Sequence, residues 1–175
     1  MSKSVETILR ELNAALGTLD SVSFNTIRDA LATPRGRWFF TGQGRSGLVA
    51  QMSVMRTMHL GIESHVVGGA TTPAIKEGDS LVVFSSSGET AVAAHFAKTA
   101  QRHDATVYVI TSSATSSLAR IADEMIVIDL PGSVQFGGSL FEQSALILWD
   151  SLILSIIQGD DSKYEDMANR HANLQ

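Results

Sequence analysis

From residue 37 onward, short apolar runs alternate with stretches of helical periodicity. Arg37–Thr41, Glu63–Val67, Asp79–Phe84, Ala105–Thr111 and Glu124–Leu130 read as strands, each short and rich in branched or aromatic side chains. Between them the pattern predicts helices over Leu48–Leu60, stopped by Gly61, over Glu89–Arg102, and over the shorter Ser117–Ala122. A last helix is predicted over Leu140–Gln158, apolar on most faces and therefore buried. Ahead of the alternation, Val5, Ile8, Leu9, Leu12 and Leu16 recur at helical spacing until Gly17. A second short helix is predicted over Phe24–Leu31, before Thr33-Pro34-Arg35-Gly36 breaks the chain. The polar tail, 159–175, reads as a loop with a final helical turn.

Strands alternating with helices imply parallel pairing through right-handed crossovers. The expectation is an α/β domain with a five-stranded parallel sheet covered on both faces. Residues 1–34 form a helical lead-in, 35–158 the α/β core, and 159–175 the C-terminal tail. Ligands of such sheets sit at the carboxyl ends of the strands. Three loops arrive there with distinctive residues: 42–47, 85–90 and 131–142.

Composition narrows the function. A chain of 175 residues fits one domain, and 44% hydrophobic with 18% charged residues is ordinary for a soluble globular protein. The net charge of -5 argues against a nucleic-acid surface, which calls for a basic patch. The absence of cysteine excludes disulfides, thiol nucleophiles and Cys-ligated zinc. The N-terminus is polar and lacks the apolar core of a signal peptide. The most apolar region, Ser144–Gln158, is broken by Asp150 and reads as too short to span a bilayer. A soluble cytoplasmic protein without a membrane partner is expected.

The candidate chemistry starts at Ser85-Ser86-Ser87-Gly88-Glu89-Thr90, where the third strand ends and a helix begins. Such a turn aims hydroxyls and unpaired backbone N–H groups at one point, at the positive end of a helix dipole. One cap needs one hydroxyl, and four stand here within six residues, so an anion such as a phosphate monoester is the better occupant. Gly42-Gln43-Gly44-Arg45-Ser46-Gly47 matches the dinucleotide fingerprint after a strand, but the second strand ends in Val66-Val67-Gly68-Gly69, with no acid for a ribose. The loop reads as a tight turn in which Ser46 adds a hydroxyl to the anion site and Arg45 adds a charge there or to the substrate's hydroxyls.

Glu142 opens the long apolar helix after a Gly-rich loop. It is either a dipole partner or a general base, its proton affinity raised by apolar neighbours such as Leu140, Phe141 and Ala145. His59, in the last turn of its helix, is a dipole partner, a satisfied buried histidine or a donor to developing charge. His65, His95 and His103 read as surface or packing residues, and His171 lies in the tail. No His/Asp/Glu cluster has metal-ligand spacing, so no metal is expected.

Ser85-Ser86-Ser87-Gly88-Glu89-Thr90 resembles the phosphosugar-binding signature of the sugar isomerase (SIS) domain family. Gly44-Arg45-Ser46-Gly47-Leu48, Met58-His59-Leu60-Gly61, Thr72-Pro73-Ala74-Ile75, Ser139-Leu140-Phe141-Glu142-Gln143-Ser144 and Arg170-His171-Ala172-Asn173-Leu174 extend the likeness to one branch, the 6-phospho-3-hexuloisomerases. The resemblance implies a single SIS domain of flavodoxin-like three-layer αβα build, usually a homotetramer. It implies cofactor-free interconversion of D-arabino-3-hexulose 6-phosphate and D-fructose 6-phosphate, after a synthase that condenses formaldehyde with ribulose 5-phosphate. It places phosphate binding on Ser46, Ser85, Ser87 and Thr90, beside Gly44, Arg45 and Ser86, and the base on Glu142; His59 is the second catalytic candidate. Phe136-Gly137-Gly138-Ser139 departs from the Pro-Leu-Gly-Thr pattern frequent in relatives. Alternatives are another aldose–ketose phosphosugar isomerase, acting on arabinose 5-phosphate or a heptulose phosphate, and a non-catalytic phosphosugar sensor.

Overall fold

A computed structural model describes residues 2–174. Two helices lead, α1 (Lys3–Leu16) and α2 (Ser21–Ala32). There follow β1 (Trp38–Gly42), α3 (Arg45–His59), β2 (Ser64–Val66), β3 (Ser80–Phe84), α4 (Ala91–Arg102), β4 (Thr106–Thr111) and β5 (Glu124–Val127). The chain closes with α5 (Ser139–Ile157) and α6 (Asp161–Asn169). All five strands are parallel, in the order β2-β1-β3-β4-β5. This is the flavodoxin-like order, which reverses direction between β1 and β3.

The strands alternate apolar side chains to two faces, and both faces are buried, as parallel sheets require. Trp38, Phe40, Val82, Phe84, Tyr108, Ile110 and Ile126 face one core, where α1, α2, α3 and α5 deliver Leu12, Ile27, Val49, Leu148 and Trp149. Phe39, Leu81, Val83, Val107 and Val109 face the other, where α4 delivers Ala93, Ala97 and Ala100. Right-handed crossovers of opposite direction explain the split: β1 to β2 steps one way along the sheet, β3 to β4 the other, so α3 and α4 land on opposite faces. Trp149 is at the centre of the larger core, edge-on to Phe40 and Phe84, with its indole N–H donating to Thr57 Oγ1 at 3.2 Å.

Several boundaries differ from the sequence pattern. α3 begins at Arg45, not Leu48, because Gly44 takes a positive φ of 57° and turns the chain straight into the helix. β5 ends at Val127 because its neighbour β4 ends at Thr111, the residue paired with Val127. The predicted helix at Ser117–Ala122 is a series of turns. Its first amides hold the loop after β3 instead: Ser117 N–H donates to Glu89 Oε1 and Leu118 N–H to Gly88 O. The tail contains a true helix, α6, capped by Asp160, whose carboxylate accepts from Ser162 and Lys163 N–H. α5 has 19 residues with a mean hydropathy of 1.5, long and apolar enough by composition to cross a membrane, against the shorter run expected. Half of it is buried within the sandwich, and Leu148, Trp149 and Leu152 are fully buried there.

Candidate active site

The loops after β1 and β3 leave the sheet where the strand order reverses, so their tips splay apart and open a crevice. A cavity of about 450 Å³ lies there, lined by Gln43, Ser46, Phe84, Ser85, Ser86, Ser87, Thr90, Gly137 and Gly138. A larger hollow, about 520 Å³, opens at the opposite edge of the sheet, but Asp29, Glu77 and Asp104 outnumber Arg35 around it, a poor field for an anion.

The hydroxyl loop is held from below rather than by its own helix. Thr90 occupies the N-cap position of α4 yet makes no capping hydrogen bond; its Oγ1 lies 3.2 Å from Ser85 Oγ. The α4 amides that a cap would satisfy therefore remain available at the cavity, with the dipole's positive end. Ser85 is buried and its Oγ accepts from Gly88 N–H at 3.2 Å; Ser87 Oγ accepts from Glu89 N–H at 3.2 Å. Ser86 turns toward β4: its Oγ is 3.2 Å from Ser112 Oγ, and its carbonyl accepts from Thr111 Oγ1, Ser112 Oγ and Ser112 N–H. Gly88 has a φ of 66°, and a Cβ there would lie 2.0 Å from Ser116 Oγ, so only glycine fits. Glu89 sits before the helix, not in it; hydrogen bonds from Ser117 hold its carboxyl below the usual range.

The loop after β1 uses its glycines for closeness. A Cβ on Gly42 would meet the Ser46 carbonyl carbon and oxygen at 2.5 Å, so β1 and α3 touch backbone to backbone. That contact brings buried Ser46 into the cavity and leaves Arg45 half out of it.

Arg45 Nε donates to Glu142 Oε2, forming an ion pair beside the cavity. The Arg45 side chain is 61% exposed and that of Glu142 only 13%. The apolar surroundings expected for Glu142 are thus interrupted by a guanidinium. The carboxylate folds back over Gly138, where a Cβ would lie 3.0 Å from Glu142 Oε1. Gly138 lines the cavity, so the pair stands at its rim, one residue away.

His59 is at the wrong end of α3 to join this group. Thirteen residues separate it from Ser46, about 20 Å of helix, which puts it at the amino edge of the sheet. The two catalytic candidates, His59 and Glu142, therefore lie at opposite edges of the sheet within one chain. His59 is buried and stacks on His171, with ring centroids 5.3 Å apart, while its carbonyl accepts from Arg170. Burial, then the neighbouring His171 and Arg56 charges, hold its imidazole below the usual histidine range. Among the described residues no three His, Cys, Asp or Glu side chains gather as a metal site.

The sequence reading missed Gln43, Gly137 and Gly138 as walls, and Thr111, Ser112 and Ser116 as supports. A signal existed for the supports: Thr111-Ser112-Ser113 ends the strand beside β3 at the same edge.

Comparison with known proteins finds similarity along most of the chain. The SIS domain matches residues 31–147. The chain is 39% identical over 148 residues to a 3-hexulose-6-phosphate isomerase of Mycobacterium gastri, covering 80% of this chain and 74% of that one. It is 34% identical over 182 residues to a 3-hexulose-6-phosphate isomerase of Bacillus subtilis, covering 98% and 97%. A crystal structure of a hypothetical protein from Methanococcus jannaschii, described as inferring the molecular function of a 3-hexulose-6-phosphate isomerase, superposes with a TM-score of 0.87 at 27% identity. It covers 99% of this chain and 100% of that one.

Proposed function

The chain belongs to the SIS domain family, among its 3-hexulose-6-phosphate isomerases, and on that premise we propose that it interconverts D-arabino-3-hexulose 6-phosphate and D-fructose 6-phosphate. The observation that carries this reading is one edge of the sheet holding both a neutral hydroxyl cavity and an acid–arginine pair.

The phosphate does not react. Ser46, Ser85, Ser87, Thr90 and the free α4 amides hold it, and the binding energy orients the carbonyl end of the sugar toward Glu142. Glu142 takes the proton from C2 of the 3-ketose. Electrons move into the C2–C3 bond and onto the C3 oxygen, giving a cis-enediolate. The proton returns at C3, the C2 hydroxyl proton passes to the C3 oxygen, and the carbonyl is left at C2. No redox cofactor is needed, because the two carbons exchange oxidation levels within one molecule. Arg45 is the charge nearest the base; leaving Glu142 for the sugar oxygen frees the carboxylate and stabilises the developing oxyanion. His59 is buried at the other edge of the sheet, and exposed His171 can serve only the cavity of a neighbouring subunit.

We take the whole chain as one SIS domain and its working form as a cytoplasmic homo-oligomer. Leu48, Met52 and Met55 on α3 and Ile147 and Leu154 on α5 are exposed apolar side chains on adjacent helices, a face suited to a second copy. A charged phosphosugar is retained inside the cell, which fits a cytoplasmic enzyme.

The test is fructose 6-phosphate in deuterated water. The expected result is appearance of the 3-ketose with deuterium at C2, and deuterium at C3 of the fructose 6-phosphate that is re-formed. Deuterium at C1 instead would mark an aldose–ketose isomerase, and binding with no exchange a sensor; either overturns the proposal.

A further inference from the structure

Glu11 lies on α1, far in sequence from every residue of the cavity. Its carboxylate accepts three hydrogen bonds from one loop: Ser133 Oγ at 2.7 Å, Val134 N–H at 2.9 Å and Gln135 Nε2 at 3.0 Å. Ser133 Oγ in turn accepts from Gln135 N–H, which closes the turn around the carboxylate. Those bonds, Val134 N–H first, hold the Glu11 carboxyl below its usual range, so it is charged whenever the enzyme works.

Among the described residues, Glu11 accepts every hydrogen bond that residues 131–136 donate to another element of the fold; in the other direction, Phe136 O accepts from Ser139 Oγ and N–H at the head of α5. Apolar packing does not replace it. Val134 is 82% exposed and Phe136 97% exposed. Gly132 and Gly137, with φ of 125° and 62°, bracket the segment and give it freedom at both ends. Immediately after it come Gly137 and Gly138, which wall the cavity, and Glu142, one turn into α5. Glu11 itself is fixed, because its neighbours Leu12 and Ala15 bury α1 against the core that contains α5.

We propose that Glu11 is a positioning residue: its carboxylate clamps loop 133–135 to α1 and thereby fixes the Gly137–Gly138 wall and the reach of Glu142. The reaction assigned to the site rests on the function proposed above; the clamp itself does not. A surface carboxylate of purely structural use would change stability and leave turnover alone. A clamp acts on turnover, because displacing a base by about 1 Å costs up to about 10²-fold in rate.

The experiment compares wild type with Glu11→Ala and Glu11→Gln, the latter presenting an amide N–H to donors that need an acceptor. Hydrogen exchange at the Val134 amide should speed up about tenfold or more in both, as a charge-assisted hydrogen bond is lost. The kcat for fructose 6-phosphate should fall about tenfold at a temperature well below unfolding, and Glu11→Asp, which keeps the carboxylate, should recover part of it. Unchanged exchange at Val134 overturns the clamp, as does faster exchange with wild-type kcat and KM. If wild type itself turns over no fructose 6-phosphate, the proposed function falls, and the exchange result alone decides the clamp.

Discussion

Arg45 and Glu142 stand 97 positions apart in the chain and form an ion pair at the rim of the hydroxyl cavity. One is in the first turn of α3 and the other in the first turn of α5. Glu142→Gln keeps the shape and removes the proton acceptor. Turnover should fall by about 10²–10⁴-fold, the usual contribution of a placed base, with phosphosugar binding retained. Near-normal kcat in this variant, measured on fructose 6-phosphate, removes Glu142 from the chemistry.

Thr90 is the hydroxyl that could cap α4 and does not. Thr90→Val keeps the branched shape and deletes the oxygen. A hydrogen bond to a charged group is worth about 1.5–3 kcal/mol. Affinity for fructose 6-phosphate, read by calorimetry, should weaken about ten- to hundredfold with little change in folding. An unchanged Kd would show that the phosphate sits elsewhere.

Gly88→Ala tests the floor of the same loop. A left-handed φ of 66° and a Cβ 2.0 Å from Ser116 Oγ leave no room for a methyl. Strain of this kind costs about 1–3 kcal/mol. A fall of several degrees in the melting temperature is expected, together with loss of phosphosugar binding. Gly88→Ala with wild-type melting and affinity would contradict the tight packing described.

His59 predicts a pH dependence. Its imidazole sits below 6.5 in the fold, because of burial first and of His171 and Arg56 next. Unfolded, the ring takes up a proton near 6.5. Between those two values the unfolded chain holds more protons, so stability rises with pH. The contribution is complete above about pH 6.5 and is lost as the pH falls below it. Denaturant midpoints should decline on acidification from about pH 7.5 to 5, and His59→Gln should flatten that decline. An equal slope in the variant would assign the loss to other groups.

Met52 lies at the middle of the exposed apolar row on α3, and the adjacent α5 exposes Ile147 and Leu154. Met52→Asp places a charge in that face. If the face joins copies of the chain, the solution mass measured by light scattering should drop while the helix content stays. The same mass in both proteins would move the interface elsewhere.

Most of the architecture was legible because strands and helices announce themselves through neighbours two, three and four residues away. Val82 and Phe84 alternate with Leu81 and Val83, and both sets are apolar because both faces are covered. The failures share a cause. Ser117–Ala122 has helical residues but gives its amides to the loop after β3, and α6 depends on an Asp160 cap in a stretch too polar to show a periodic face. The hydroxyl loop was legible as a candidate anion site from four hydroxyl side chains in six residues. That Ser86 faces Ser112 and that Thr90 leaves its helix uncapped was not, since each depends on β4 or on the geometry of the turn.

The amino-acid sequence by itself determined the parallel α/β alternation, the cluster of hydroxyls after β3 and the acid at the head of α5. Only the tertiary structure decided which of these residues meet. Parallel crossovers return every strand to the same edge, so Arg45, Ser85 and Glu142 converge although the chain separates them. A helix does the opposite. Rising about 1.5 Å per residue, α3 carries His59 away from Ser46, in the first turn of the same helix, to the amino edge of the sheet.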